Sequence, residues 1–238
     1  MLLTGLAVAV GCQAAQRVDE FTTKSGKKVT ITCIKHASLE INYDGLEIQV
    51  DPVGSFVTPV TDYAQFPKAN IILITHEHKD HYDLQAVQTL RNHATSIYEN
   101  PAVFGMFKNG IALKNGDSIQ YRADVKIEAV PAYNTTPGRE QFHPRGRDNG
   151  YVLTLDGLRI YFAGDTEDIP EMADLKDIDI AFLPCNQPYT MTVDQLVKAA
   201  KTIKPKVLFP YHYNNTPVAK AVMQLAGSGI DVRIRDYK

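Results

Sequence analysis

Cysteine is scarce in this chain. Its 238 residues hold three, Cys12, Cys33 and Cys185, with no CxxC spacing, which argues against a cysteine-based zinc site. Two buried free thiols are expected at Cys33 and Cys185. Tryptophan is absent, and no apolar run beyond the N-terminus is long enough to cross a bilayer. Charge of one sign is also missing. Lys and Arg total 25 against 27 Asp and Glu, a net of −2, so nucleic acid is not expected as the main partner. With 13 Pro and 15 Gly the chain is not of low complexity. No G-x-S-x-G occurs, which sets aside a Ser–His–Asp hydrolase, and phosphate-loop and dinucleotide fingerprints are lacking. What remains is a globular composition, 44% hydrophobic and 22% charged, of a length that suits one domain.

The chain opens MLLTGLAVAVGC, a short apolar run that fits the core of a secretory signal. Ala9-Val10-Gly11-Cys12 is similar to a lipobox, in which Cys12 would carry a lipid anchor to a membrane. Cleavage near Ala14 or Ala15, or a frayed arm, are the alternatives. We expect residues 1–20 to form this segment and residues 21–238 to form a single domain. A signal implies a periplasmic or membrane-anchored lipoprotein; without one the chain is cytoplasmic.

Two alternating runs flank Asp44-Gly45 and two more flank Asp156-Gly157, so each pair reads as a hairpin. Ile71–Ile74 is apolar throughout, as in a strand buried on both faces. Asp83 can cap a helix whose Leu84, Val87 and Leu90 share one face. Thr192-Val193-Asp194-Gln195 is a capping box opening a helix to about Ile203, and Pro217 starts a last helix to about Ala226. Strands are expected at Val125–Val130, Ile178–Leu183, Val207–Phe209 and Val232–Ile234. Strands first, then strands alternating with helices, repeated over two halves, suggest two sheets covered by helices.

The densest chemical signal is Thr75-His76-Glu77-His78-Lys79-Asp80-His81, directly after the buried strand. Imidazole and carboxylate are ligands for zinc and other divalent first-row metals. In a loop leaving a strand end, residues two apart can converge on one ion, and Asp80 and His81 can reach a second beside it.

His76-x-His78-x-Asp80-His81 is the signature of the metallo-β-lactamase fold superfamily, which this chain resembles. Phe162-Ala163-Gly164-Asp165-Thr166 resembles the motif whose Asp bridges two metals. Phe209-Pro210-Tyr211-His212-Tyr213 resembles the last motif, whose His binds the second metal. Ile34-Lys35-His36-Ala37-Ser38, Val50-Asp51-Pro52, Phe142-His143-Pro144-Arg145-Gly146 and Tyr189-Thr190-Met191-Thr192 are similar to the branch of UlaG-like lactonases and lipid phospholipase D relatives. The resemblance spans about Val29 to Tyr213. It implies a four-layer αββα sandwich in the α/β (α+β) class, with a binuclear site at one edge of the sheets.

It implies His76 and His78 on the first metal, Asp80, His81 and His212 on the second, and Asp165 bridging. A hydroxide made available at neutral pH would attack, with Asp80 and His212 as the catalytic residues and Asp80 orienting the water. The superfamily expects a histidine where this chain has Asn134, a weaker zinc ligand. His143, nine residues on, is the other candidate for that place. Some members of the UlaG-like branch share this Ala-Tyr-Asn with a following Phe-His-Pro. His36 and Asp51 are expected one layer behind the ligands, His36 equally as a structural histidine.

Arg139, Arg145 and Arg147 lie in the loop with His143 and could hold a phosphate or carboxylate; a loop balanced by Glu140 and Asp148 is the plainer reading. Asn186 and Tyr189 are candidate substrate contacts. The expected function is metal-dependent hydrolysis of a phosphoester, ester or lactone bond in a small molecule, phosphorylated or not. The expected cofactors are two divalent ions, zinc first and manganese or iron as alternatives. The rivals are a phosphodiesterase of the lipid phospholipase D type and a non-catalytic metal-binding protein.

Overall fold

A computed structural model describes residues 17–108 and 110–237. Residues 1–16, Cys12 among them, lie outside the described residues. Strands β1 (Val18–Thr22), β2 (Lys28–Lys35), β3 (Ser38–Tyr43), β4 (Leu46–Val50) and β5 (Ile71–Ile74) come first. Helix α1 (Leu84–Leu90), β6 (Ser96–Glu99), α2 (Pro101–Phe107) and β7 (Ile111–Ala112) complete the first half. The second half runs β8 (Ser118–Arg122), β9 (Val125–Ala132), β10 (Asp148–Leu155), β11 (Leu158–Phe162), β12 (Ile180–Pro184), α3 (Val193–Ile203), β13 (Val207–Tyr211), α4 (Ala219–Gln224) and β14 (Asp231–Val232). The segment expected over residues 1–20 overlaps the first strand. Val18–Glu20 belong to β1, where they pair with Thr30–Thr32.

Each half makes one seven-stranded sheet in sequence order. β1 to β4 pair antiparallel, and β4 to β7 pair parallel. β8 to β11 and β11 to β14 repeat that pattern. The hairpin turns form as read, with positive φ at Asp44 and Gly45 and again at Asp156 and Gly157.

Alternation then builds the layers. Ile71 and Leu73 of β5 pack between the sheets, while Ile72 and Ile74 pack toward α1 with Val87 and Leu90. In β12, Ile180 and Phe182 face the other sheet, and Ala181 and Leu183 face α3. Helix, sheet, sheet, helix is the four-layer sandwich the sequence implied. Asp83 caps α1 through Gln85 N and Ala86 N, and the Thr192–Gln195 box closes in both directions. The last helix is shorter than expected, and β14 stops before Ile234.

Candidate metal centre

The parallel strands decide where the chemistry collects. Loops leaving the carboxyl ends of parallel strands meet on one edge, and ligands bind there. β5 delivers Thr75–His81, β11 delivers Asp165, β13 delivers His212, and the β2 end delivers His36. His143 comes from the long loop between β9 and β10. Positive φ at His36 and His212 turns the chain sharply just past each strand. The two turns are tied, with His212 N donating to His36 O at 3.1 Å.

Two groups of donors result, and in each the candidate ligand atoms lie within 4.8 Å of one another. One is His76, His78, His143 and Asp165; the other is His36, Asp80, His81 and His212. Asp165 stands between them. Its Oδ2 lies 3.3 Å from His143 Nε2 and 3.4 Å from His212 Nε2, and its Oδ1 lies 3.2 Å from His81 Nε2. Yet Asp165 Oδ1, His81 Nε2 and both His212 nitrogens are buried without a hydrogen-bond partner. Buried polar atoms normally find one. Lone pairs gathered this closely without bonding to each other fit a divalent cation in the space they share.

The surroundings orient these atoms. Asp51 Oδ2 lies 2.8 Å from His81 Nδ1, which leaves Nε2 facing Asp165. Thr75 donates its N–H (2.8 Å) and hydroxyl (2.7 Å) to the same carboxylate, and its oxygen lies 2.9 Å from His76 Nδ1. His143 Nδ1 lies 3.1 Å from Tyr189 O, and Asn134 Nδ2 donates to that carbonyl at 2.7 Å. Asn134 N also donates to His143 O at 2.9 Å. Asn134 thus props the loop that brings His143 in, while its own Oδ1 is buried and unpartnered. Glu167 anchors the start of that loop, accepting from Thr135 N at 2.8 Å and Thr136 N at 2.6 Å.

Burial holds His76 and His78 below the usual imidazole range, and neighbouring imidazoles add to it. Burial and then His212 push His36 down to about 4. Neutral imidazole is the ligand form. Burial works against the charge on Asp80 and Asp165, but the imidazoles beside them outweigh it and hold both carboxyls ionised. His81 is the reverse case: burial opposes its proton, and Asp165 and Asp51 raise it regardless. The pocket calls for positive charge there, and a divalent cation answers the same call.

A model of the β-lactamase superfamily domain matches residues 30–212, a span that contains all eight donors. The chain belongs to the β-lactamase superfamily. This superfamily member is 33% identical over 200 residues to a UPF0173 metal-dependent hydrolase of Ligilactobacillus salivarius, covering 80% of this chain and 87% of that one. A crystal structure from Parabacteroides distasonis, provisionally assigned as a metal-dependent hydrolase, is 58% identical with a TM-score of 0.90. It covers 94% of this chain and 100% of its own. Igni18, a metallo hydrolase of Ignicoccus hospitalis, shares the fold at 24% identity and TM-score 0.73, over 87% of this chain and 95% of its own. The superfamily chain described here is a metal-dependent hydrolase with two candidate metal-binding clusters.

Sequence reasoning assembled the β5 loop, Asp165 and His212 as the structure does, with Asp51 behind them. The remaining candidates take definite places. His36 lies within the second donor group, with its Nε2 3.1 Å from Asp80 Oδ2 and its ring beside His212 at a centroid distance of 3.7 Å. His143 occupies the place left open between it and Asn134. The arginines do not present a free fork. Arg139 donates to Gln187 and lies 3.8 Å from Glu167, and Arg145, 73% exposed, binds Glu171 at 2.7 Å. Arg147 joins Glu77 at 3.2 Å and Asp148 at 2.7 Å. Tyr189 is exposed and serves the site through its carbonyl, and Asn186 holds the same turn through its backbone. Thr75 and Glu167 went unread, since neither residue type at its position announces a role.

Proposed function

We propose that this hydrolase holds two divalent ions and cleaves an ester, lactone or phosphoester bond of a small molecule. His76, His78 and His143 would hold one ion, Asp80, His81 and His212 the other, with Asp165 shared. The single observation behind this reading is the meeting of both donor groups at buried Asp165, whose Oδ1 is unpartnered beside the unpartnered Nε2 atoms of His81 and His212. A set of imidazoles and carboxylates without thiolate suits zinc first, with manganese or iron as alternatives. Ions held there supply Lewis acidity and bring the ionisation of water into the neutral range.

The chain's own residues do the rest. Asp80 Oδ2 lies 3.1 Å from His36 Nε2 and 3.6 Å from His212 Nε2, so the carboxylate is fixed in direction. It is placed to accept a hydrogen bond from the attacking water and orient it. The Asn134–Tyr189–His143 chain keeps Nε2 of His143 aimed at Asp165. The paired arginines favour an ester or lactone over a phosphorylated substrate. The likeness to the UlaG-like branch, carried by Phe142-His143-Pro144 and Tyr189-Thr190-Met191-Thr192, supports a lactone and does not decide against a phosphorylated one.

Metal content per chain, measured by inductively coupled plasma mass spectrometry, tests the reading. Wild type and Asn134→Ala should carry about two ions, and His143→Ala should lose one. Wild type should then hydrolyse members of a panel of p-nitrophenyl esters, lactones, phosphomonoesters and phosphodiesters. One ion or none in wild type, unchanged by His143→Ala, overturns the binuclear assignment.

A further inference from the structure

Lys35 precedes His36, and its side chain is buried at 1% exposure. Its ammonium donates to three backbone carbonyls of one loop: Gly54 O at 2.5 Å, Val57 O at 2.6 Å and Pro59 O at 2.9 Å. A buried ammonium is costly unless its donors are met, and here one loop meets all three. The Asp83 carboxylate holds the same loop by its amides, accepting from Gly54 N at 2.9 Å and Ser55 N at 3.4 Å. Loop 54–59 is thus gripped through its carbonyls on one side and its amides on the other.

The grip shapes a wall. Val57 and Thr58 line a recess of about 60 Å³ with His36, Tyr213, Asn214 and Tyr237. His36 belongs to the second donor group, so one wall of the recess is shared with the proposed reacting centre. Among the described residues its lining holds no Lys, Arg, Asp or Glu. One water needs about 10–15 Å³ of such space, so the recess has room for a group on the order of four non-hydrogen atoms.

Resting on the hydrolase reading above, we propose that this recess takes a short uncharged arm of the substrate, of acetyl or propionyl size, and that Lys35 is the positioning residue that builds it. Lys35 acts through Val57 and Thr58 and touches no reacting atom. Placed one residue apart, Lys35 sets the recess wall and His36 meets the donor groups.

The test uses metal-loaded full chain and straight-chain hydroxamates, which bind metal by the head group and probe the recess with the tail. Acetohydroxamate should bind wild type at least about tenfold more tightly than octanohydroxamate. Val57→Ala, a half-buried position that should fold normally, should shift the optimum to a longer tail. Lys35→Met should abolish the length preference while keeping the wild-type metal content, a split that a general loss of structure would not give. Hydrogen exchange read on metal-free protein should speed up at residues 54–60 in Lys35→Met and nowhere else. Tail-length preference unchanged in both variants overturns the recess, with the metal assignment intact. A wild type that holds no metal overturns the hydrolase reading instead, and exchange unchanged in Lys35→Met then overturns the role of Lys35 separately.

Discussion

At the residue scale, the proton on His81 is placed by Asp51. A carboxylate accepts Nδ1–H and leaves Nε2 free, whereas an amide in its place can donate to Nδ1 and favour the opposite tautomer. Asp51→Asn should keep the Thr75 N–H bond, since an oxygen remains to accept it. It should lower metal affinity at the group containing His81 by roughly 10–100-fold, and the group containing His76 by less. Titration with a chromogenic chelator in competition reads both sites, and equal losses at the two would count against this account. The β5 loop was legible from sequence because its three histidines and Asp80 are local, so chain geometry alone brings them together. His143 was legible only as one of two choices. Nothing in Asn134 by itself says that its amide turns to Tyr189 O and Arg139 O. His36 was read one layer behind the ligands, but its stacking beside His212 was not legible, because a positive φ at histidine carries no sequence mark.

At the scale of elements, the turn after β11 is the most constrained piece of backbone in the site. Gly164 has φ +64°, and a Cβ there would lie 2.9 Å from Asn149 O and 3.1 Å from Thr75 Cβ. Backbone and a buried, hydrogen-bonded threonine cannot yield as a flexible side-chain tip would. Gly164→Ala should therefore destabilise the protein by roughly 1–3 kcal/mol, measured by urea unfolding, and displace Asp165. Gly26→Ala is the control: φ is also positive, but nothing lies within 4 Å. It should cost less and leave metal binding unchanged. Elements were legible where a turn or cap announces them, as at Asp44-Gly45, Asp156-Gly157, Asp83 and Thr192. Helix α2 was missed although Asn100 caps it and Pro101 opens it, because seven residues with Gly105 inside show little periodicity. β7 and β14, two residues each, exist only because a neighbouring strand is there to pair with them.

At the scale of the molecule, the two sheets are alike and the donors are divided between them. His36, His76, His78, Asp80 and His81 come from the first half, and His143, Asp165 and His212 from the second. Each donor group draws on both halves, since Asp165 and His143 join His76 and His78, and His212 joins His36, Asp80 and His81. An ion in either group therefore adds a cross-link between halves that also meet through apolar packing and a few hydrogen bonds and ion pairs. Metal that binds only the folded chain stabilises it by mass action, about 2.7 kcal/mol at a free concentration 100 times the dissociation constant. For a chain of this length that is a rise of roughly 5–10 °C in Tm. Chelation should reverse it, and re-addition of zinc should restore it. The comparison must be made at fixed pH, since protons compete for the imidazoles. His212→Ala and His143→Ala each break one group, so each should keep part of the shift, and the double variant should keep almost none. A full zinc-dependent shift in the double variant would mean that the ion sits elsewhere and that the two halves are not joined through Asp165.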